Sequence, residues 1–243
     1  MTPAAAVPRI ALFADSFHEV NGVALTARSL EEFARRRGYP MLSVHTGDPE
    51  APSDFGSVRR CELPMSPLSF GLERDLRFDA AFLRHYPPLR RAVLDFGPDL
   101  IHITGPSHTG ILGALLAWRL KIPMLASWHT NVHEYAGRRL DYRLRFLPVA
   151  VRRPLNRWAE RLSLWATLKF YSTARLTLAP NPSLVAMLEQ GTGKPCRLMR
   201  RGVDVELYHP RRRRRSDDAL VIGYVGRLSP EKNVRFLAEV ERA

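Results

Sequence analysis

RIALFADSFHEVNGVALTARSLEEFARRRGYPMLSVHT, residues 9–46, decides how the rest of the chain is read. Arg9–Ala14 is an apolar run of strand length. From Gly22 to Arg37, the residues Val23, Ala27, Leu30 and Ala34 recur at helical spacing, and Gly38 supplies the stop. Met41–Thr46 is a second apolar run, closed by Gly47-Asp48-Pro49. Strand, helix and strand in that order form a βαβ unit, whose crossover helix makes the two strands parallel.

The same alternation continues outward. Ser57–Leu63 reads as a third strand, followed by a loop carrying Pro64, Pro67 and Gly71. Asp79–Phe96 has a helical pattern, expected to be interrupted at Pro87-Pro88 and ended by Gly97-Pro98. Asp99–Ile103 is a strand, His108–Leu120 a helix and Met124–Ser127 a strand. Arg138–Tyr171 is long, helical and basic, with breaks expected at Pro148 and Pro154 and with Trp158 and Trp165 expected to face the sheet. Leu176–Ala179 is a strand and Pro182–Gln190 a short helix. The expected fold is α/β with a parallel sheet, its first domain covering residues 1–200.

Arg211–Arg215, five arginines before Ser216-Asp217-Asp218, reads as part of an exposed linker spanning 201–218. Ala219–Val225 then begins a new apolar strand, Gly226–Pro230 a turn and Glu231 a helix running to Ala243. No βαβ unit is completed in residues 219–243, so the expectation is a second domain that is only started.

The formal net charge is +13, from 37 Lys and Arg against 24 Asp and Glu. That excess favours anionic partners: nucleic acid, anionic lipid or phosphorylated metabolites. The arginine run sits in a linker and no helix-turn-helix, KH or RRM signature occurs, so nucleic acid is not the expected partner. The two cysteines, Cys61 and Cys196, have no metal-ligand spacing, which suits a reduced, cytoplasmic setting. Met1–Pro8 lacks a basic start and an apolar run, and Ile111–Trp118 is far shorter than the ~20 residues that span a bilayer.

Three segments carry chemistry. Asn21-Gly22 stands where a strand-to-helix junction opens a helix N-terminus, and a bare glycine there lets a ligand phosphate approach backbone N–H groups. Ser127-Trp128-His129-Thr130 follows a strand, at the edge where open α/β sheets bind ligands, and His129 could meet a sugar hydroxyl. His129 and His133 lack the glutamate and further ligands of a zinc motif, so no metal is expected there. In Gly223–Asn233, a strand ends at Gly226 and two cations, Arg227 and Lys232, flank a helix start, a combination suited to a diphosphate. There is no G-x-S-x-G nucleophile elbow and no Asp-x-Asp pair for a metal-bound diphosphate.

In order along the chain, Asn21-Gly22-Val23, Pro98–His102, Ser127–Thr130, Leu178–Asn181, Arg201–Asp204 and Gly223–Asn233 resemble the family 4 retaining glycosyltransferases. The resemblance runs to bacterial GDP-mannose-dependent mannosyltransferases and glycolipid-forming members. It implies two facing Rossmann-like domains, the GT-B type, and metal-independent transfer of a hexose from a nucleotide-diphosphate sugar to a lipid or glycan acceptor. By the same resemblance Arg227 and Lys232 grip the diphosphate, helped by Gly226, while Asn21 and Gly22 approach it from the first domain. His129 contacts the transferred sugar, and Thr130 and His102 lie toward the acceptor. The family's Glu-x7-Glu segment does not occur after Lys232, so the 243 residues alone are expected to turn over little, and the alternatives are a non-catalytic remnant of the transferase fold or a basic nucleic-acid-binding protein. The basic helical region adds a second expectation, peripheral contact with an anionic membrane at its cytoplasmic face.

Overall fold

The computed structural model describes residues 7–48, 54–73, 76–129, 144, 146, 148–215, 221–225 and 233–242. Its elements in order begin with β1 (Ile10–Phe13), α1 (Gly22–Arg37), β2 (Met41–Thr46), β3 (Asp54–Phe55), β4 (Val58–Leu63), β5 (Ser69–Glu73) and β6 (Leu76–Asp79). A 3-10 turn (Phe82–His85), α2 (Tyr86–Phe96), β7 (Leu100–Ile103), α3 (His108–Leu120) and β8 (Met124–Ser127) follow. The first unit closes with α4 (Val149–Tyr171), β9 (Leu176–Ala179), α5 (Pro182–Thr192) and β10 (Cys196–Leu198).

The main sheet runs β10-β9-β8-β7-β1-β2-β4-β3, parallel throughout except for β3, which pairs antiparallel with β4 at the edge. Alternation along β1 explains the layers. Ala11 and Phe13 point into a core shared with Leu89 and Val93 of α2, Leu112 and Leu116 of α3, and Leu188 of α5. Leu12 and Ala14 point into another, with Ala27 and Ala34 of α1. A strand buried on both faces reads as the continuous apolar run found at residues 10–14.

Several expectations are corrected. Pro87 and Pro88 do not interrupt a helix; they occupy the first turn of α2, where a missing N–H costs nothing. Asp79 starts no helix but ends β6. Its carboxylate accepts from the backbone N–H groups of Ser66 (3.0 Å) and Ala81 (2.9 Å) and pairs with Arg84. The loop expected around Gly71 contains the β5–β6 hairpin, with Phe70 opposite Phe78. Pro148 precedes α4 as its cap, and Pro154 lies inside an unbroken helix, one turn from its start.

Trp158 and Trp165 are 64% and 59% exposed and do not pack on the sheet; Leu164, Leu168 and Tyr171 do. The part of the Arg138–Tyr171 expectation over residues 138–143, 145 and 147 lies outside the described residues.

Residues Gly202–Ala243 form a separate compact unit. In it the Asp204 carboxylate accepts from the backbone of Glu206 (3.0 Å) and Leu207 (2.9 Å), closing a turn. Arg211–Arg215 is exposed, and α6 covers Arg235–Arg242. The strand expected over Ala219–Val225 is not formed in its described part. Val221–Val225 is exposed and extends no ladder, and a strand without a paired neighbour is not stable.

Candidate functional site

From β1 the chain builds outward to β2 and β4 on one side, and β7, β8, β9 and β10 follow on the other. The crevice beyond the carboxyl ends of β1 and β7 is therefore the switch point where open α/β sheets take ligands. Sequence-singled residues gather along this edge.

Asn21 caps α1, its amide oxygen accepting from Val23 N (3.0 Å) and Ala24 N (2.9 Å). That fixes the helix start and holds Gly22 at its first position. A β-carbon on Gly22 would lie 2.0 Å from Nη1 of Arg201, so the guanidinium rests directly against the bare backbone. Arg201 belongs to the Arg-Gly-Val-Asp stretch, but its spacing gave no sign that it returns to the opening of α1.

His129 follows β8 and is half-buried. Its Nε2 lies 2.8 Å from Ser127 Oγ, which in turn lies 2.9 Å from Nε2 of the buried His102 on β7. The β7–β8 register pairs His102 with Leu125, so Ser127, two residues further along β8, shares the face on which His102 projects. Burial, then Arg201 and His102, hold His129 at about 4, and burial alone holds His102 at about 4. Both rings are neutral at pH 7. The Ser127 hydroxyl also reaches the Ile103 carbonyl (3.4 Å), and its one proton and two lone pairs serve that carbonyl and the two neutral imidazoles. His102, expected toward the acceptor, spends its Nε2 on Ser127 and reaches the edge through it.

Beneath lies Tyr171, whose hydroxyl donates to the Ser127 carbonyl (3.0 Å) and whose ring packs on Trp128, 5.1 Å between centroids. Trp128 is buried and its N–H donates to the Leu178 carbonyl (2.8 Å), so the backbone ahead of His129 is held on both sides.

Asp15 is the residue that sequence reasoning missed. It stands two residues past the end of β1 at the switch point, accepts from Ser107 Oγ at the cap of α3, and its own N–H donates to Thr104 Oγ1 (2.8 Å). Burial raises its carboxyl to about 7, against the hydrogen bonds from Ser107 and Thr104. Gly105 leaves it room: a β-carbon there would stand 2.1 Å from Asp15 Oδ2. The only trace in the sequence is an aspartate directly after a buried strand.

Thr130, Gly226, Arg227 and Lys232 lie outside the described residues. The structure thus brings together Asn21, Gly22, His102 and His129 along one edge, and adds Arg201 and Asp15.

A GDP-mannose-dependent alpha-mannosyltransferase of Mycobacterium tuberculosis is 30% identical over 244 residues, 93% of this chain and 57% of that protein. The sulfoquinovosyl transferase SQD2 of Arabidopsis thaliana is 26% identical over 96% of this chain and 44% of its own length. The chain thus spans roughly half the length of these relatives. Among solved structures, a glycosyltransferase from Rickettsia africae ESF-5 is similar with a TM-score of 0.49 and 11% identity, covering 96% of this chain and 48% of that one. Residues 20–207, from the opening of α1 to beyond β10, match Glycosyltransferase Family 4, and the chain belongs to that family.

Proposed function

We propose that the protein carrying this chain transfers a hexose from a nucleotide-diphosphate sugar to a lipid or glycan acceptor, with retention of anomeric configuration and without a metal. The observation that carries this reading is His129, neutral and fixed through Ser127 and His102 at the edge where Gly22 opens α1. A neutral imidazole at that edge can hydrogen-bond a hydroxyl of the transferred sugar, strengthening as charge develops on the ring. Arg227 and Lys232 supply the positive charge for the departing diphosphate, and the positive end of the α1 dipole adds to it. That pair does the work a metal does elsewhere. The leaving phosphate, on the same face as the acceptor, takes the acceptor proton. GDP-mannose is the first donor to test, since the Mycobacterium tuberculosis relative's name specifies it, and UDP-glucose the second.

For the acceptor, a lipid agrees with the apolar stripe that α4 leaves exposed beside Arg152, Arg153, Arg157 and Arg161. In this reading the protein works peripherally on an anionic membrane surface. No helix among the described residues is long and apolar enough to cross one.

The test is donor consumption by the full natural protein that carries this chain, with GDP- and UDP-sugars and lipid extracts. One donor is expected to turn over, with kcat/KM falling about a hundredfold or more in His129→Ala and in Arg227→Ala. Folded protein that consumes no donor sinks the proposal.

A further inference from the structure

Away from His129, three side chains converge beyond β2 and β4. His18 comes from the loop between β1 and α1, His45 from β2 and Glu62 from β4. His45 and Glu62 are direct partners in the β2–β4 register, so they project on the same face. One ring nitrogen of each histidine and one carboxylate oxygen of Glu62 all lie within 4.8 Å of one another.

An ion pair accounts for part of this. His18 Nε2 is 3.2 Å from Glu62 Oε2. It leaves His45 unexplained. That residue is wholly buried, and neither ring nitrogen makes a hydrogen bond of ordinary geometry; the Thr46 backbone lies near enough to act against the lowering of its pKa by burial. Burying a polar nitrogen without a partner costs about 1–3 kcal/mol, so something should meet it. Phe17 fixes the ring's plane by stacking on it at 3.7 Å and 2°. Gly47 keeps the neighbouring space clear: a β-carbon there would lie 1.8 Å from Glu62 Oε2 and 2.8 Å from His18 Nε2. Arg60, a neighbouring cation whose charge reaches His45, is engaged by Glu31 and lies over Phe55.

Two imidazoles and one carboxylate are the donor set of zinc-class ions, whereas magnesium and calcium prefer all-oxygen sites. We propose that His18, His45 and Glu62 hold one divalent transition-metal ion of the zinc class, tying the loop before Asn21 to β2 and β4. The half-exposed His18 side chain gives the ion its way in. The ion's role in this proposal is structural, with no part in the transfer itself.

The experiment is titration of the metal-free chain with Zn2+ by calorimetry, and with Co2+ while following its visible absorption. One ion per chain is expected, with an intense cobalt band of low coordination number that zinc abolishes. His18→Ala, at a half-exposed position that leaves the fold intact, and Glu62→Gln should each bind about tenfold or more weakly. His209→Ala, in the separate unit, should bind as the parent does. No stoichiometric uptake by the folded parent, or unchanged affinity in either His18→Ala or Glu62→Gln, overturns the proposal.

Discussion

Asp15 couples stability to pH. Its carboxyl titrates near 7 in the folded protein and near 3.8 in a free chain, because burial disfavours the charge. Below the free-chain value both states hold the proton, and the contribution of Asp15 is fully present. As pH rises toward 7 the unfolded chain releases the proton first, so stability falls until the folded carboxyl ionises too. Asp15→Asn has no proton to lose. Its urea midpoint should therefore gain on the parent's between pH 5 and pH 8; parallel pH curves for the two would refute this. The same residue marks where single positions could be read from sequence. Asn21, Gly22 and His129 were legible because turn and strand-end chemistry is local. Asp15 and Arg201 were not, since their roles depend on Gly105 and Gly22, which are 90 and 179 residues away along the chain and meet them only in the fold.

Among elements, those with strong apolar periodicity were read within a residue or two, as in α1, α3 and β8. The hairpin β5–β6 was lost because its two strands are short, one contains Gly71, and their pairing rests on cross-strand contacts such as Phe70 with Phe78. Helix α4 was read correctly as a helix but wrongly oriented. Val151, Leu155, Trp158, Leu162 and Trp165 recur at alternating steps of four and three, which is the period of a buried stripe, yet all five are exposed. Periodicity reports that a helix has an apolar face, not what covers it. If that face meets an anionic leaflet, the Trp158→Ser/Trp165→Ser double variant should bind anionic vesicles at least about tenfold more weakly in flotation, given ~1.5–3 kcal/mol for each large side chain buried. Binding that is equal on anionic and zwitterionic vesicles, or untouched by the double substitution, removes the membrane from the account.

On the scale of the molecule, every residue of the two core clusters falls between Ala11 and Cys196. A chain ended after Arg201 should therefore unfold cooperatively, with Tm within about 4 °C of the 243-residue chain, the shift that ~1 kcal/mol produces at this size. A larger drop in calorimetry would mean that residues 202–243 support the first unit. The central place of β1 has a different consequence, for synthesis. Ile10 pairs with Met41 on one side but with Leu100 on the other. While the ribosome makes the intervening residues, β1 keeps one hydrogen-bonding edge bare, and the nascent chain must be shielded there until Leu100–Ile103 has cleared the exit tunnel.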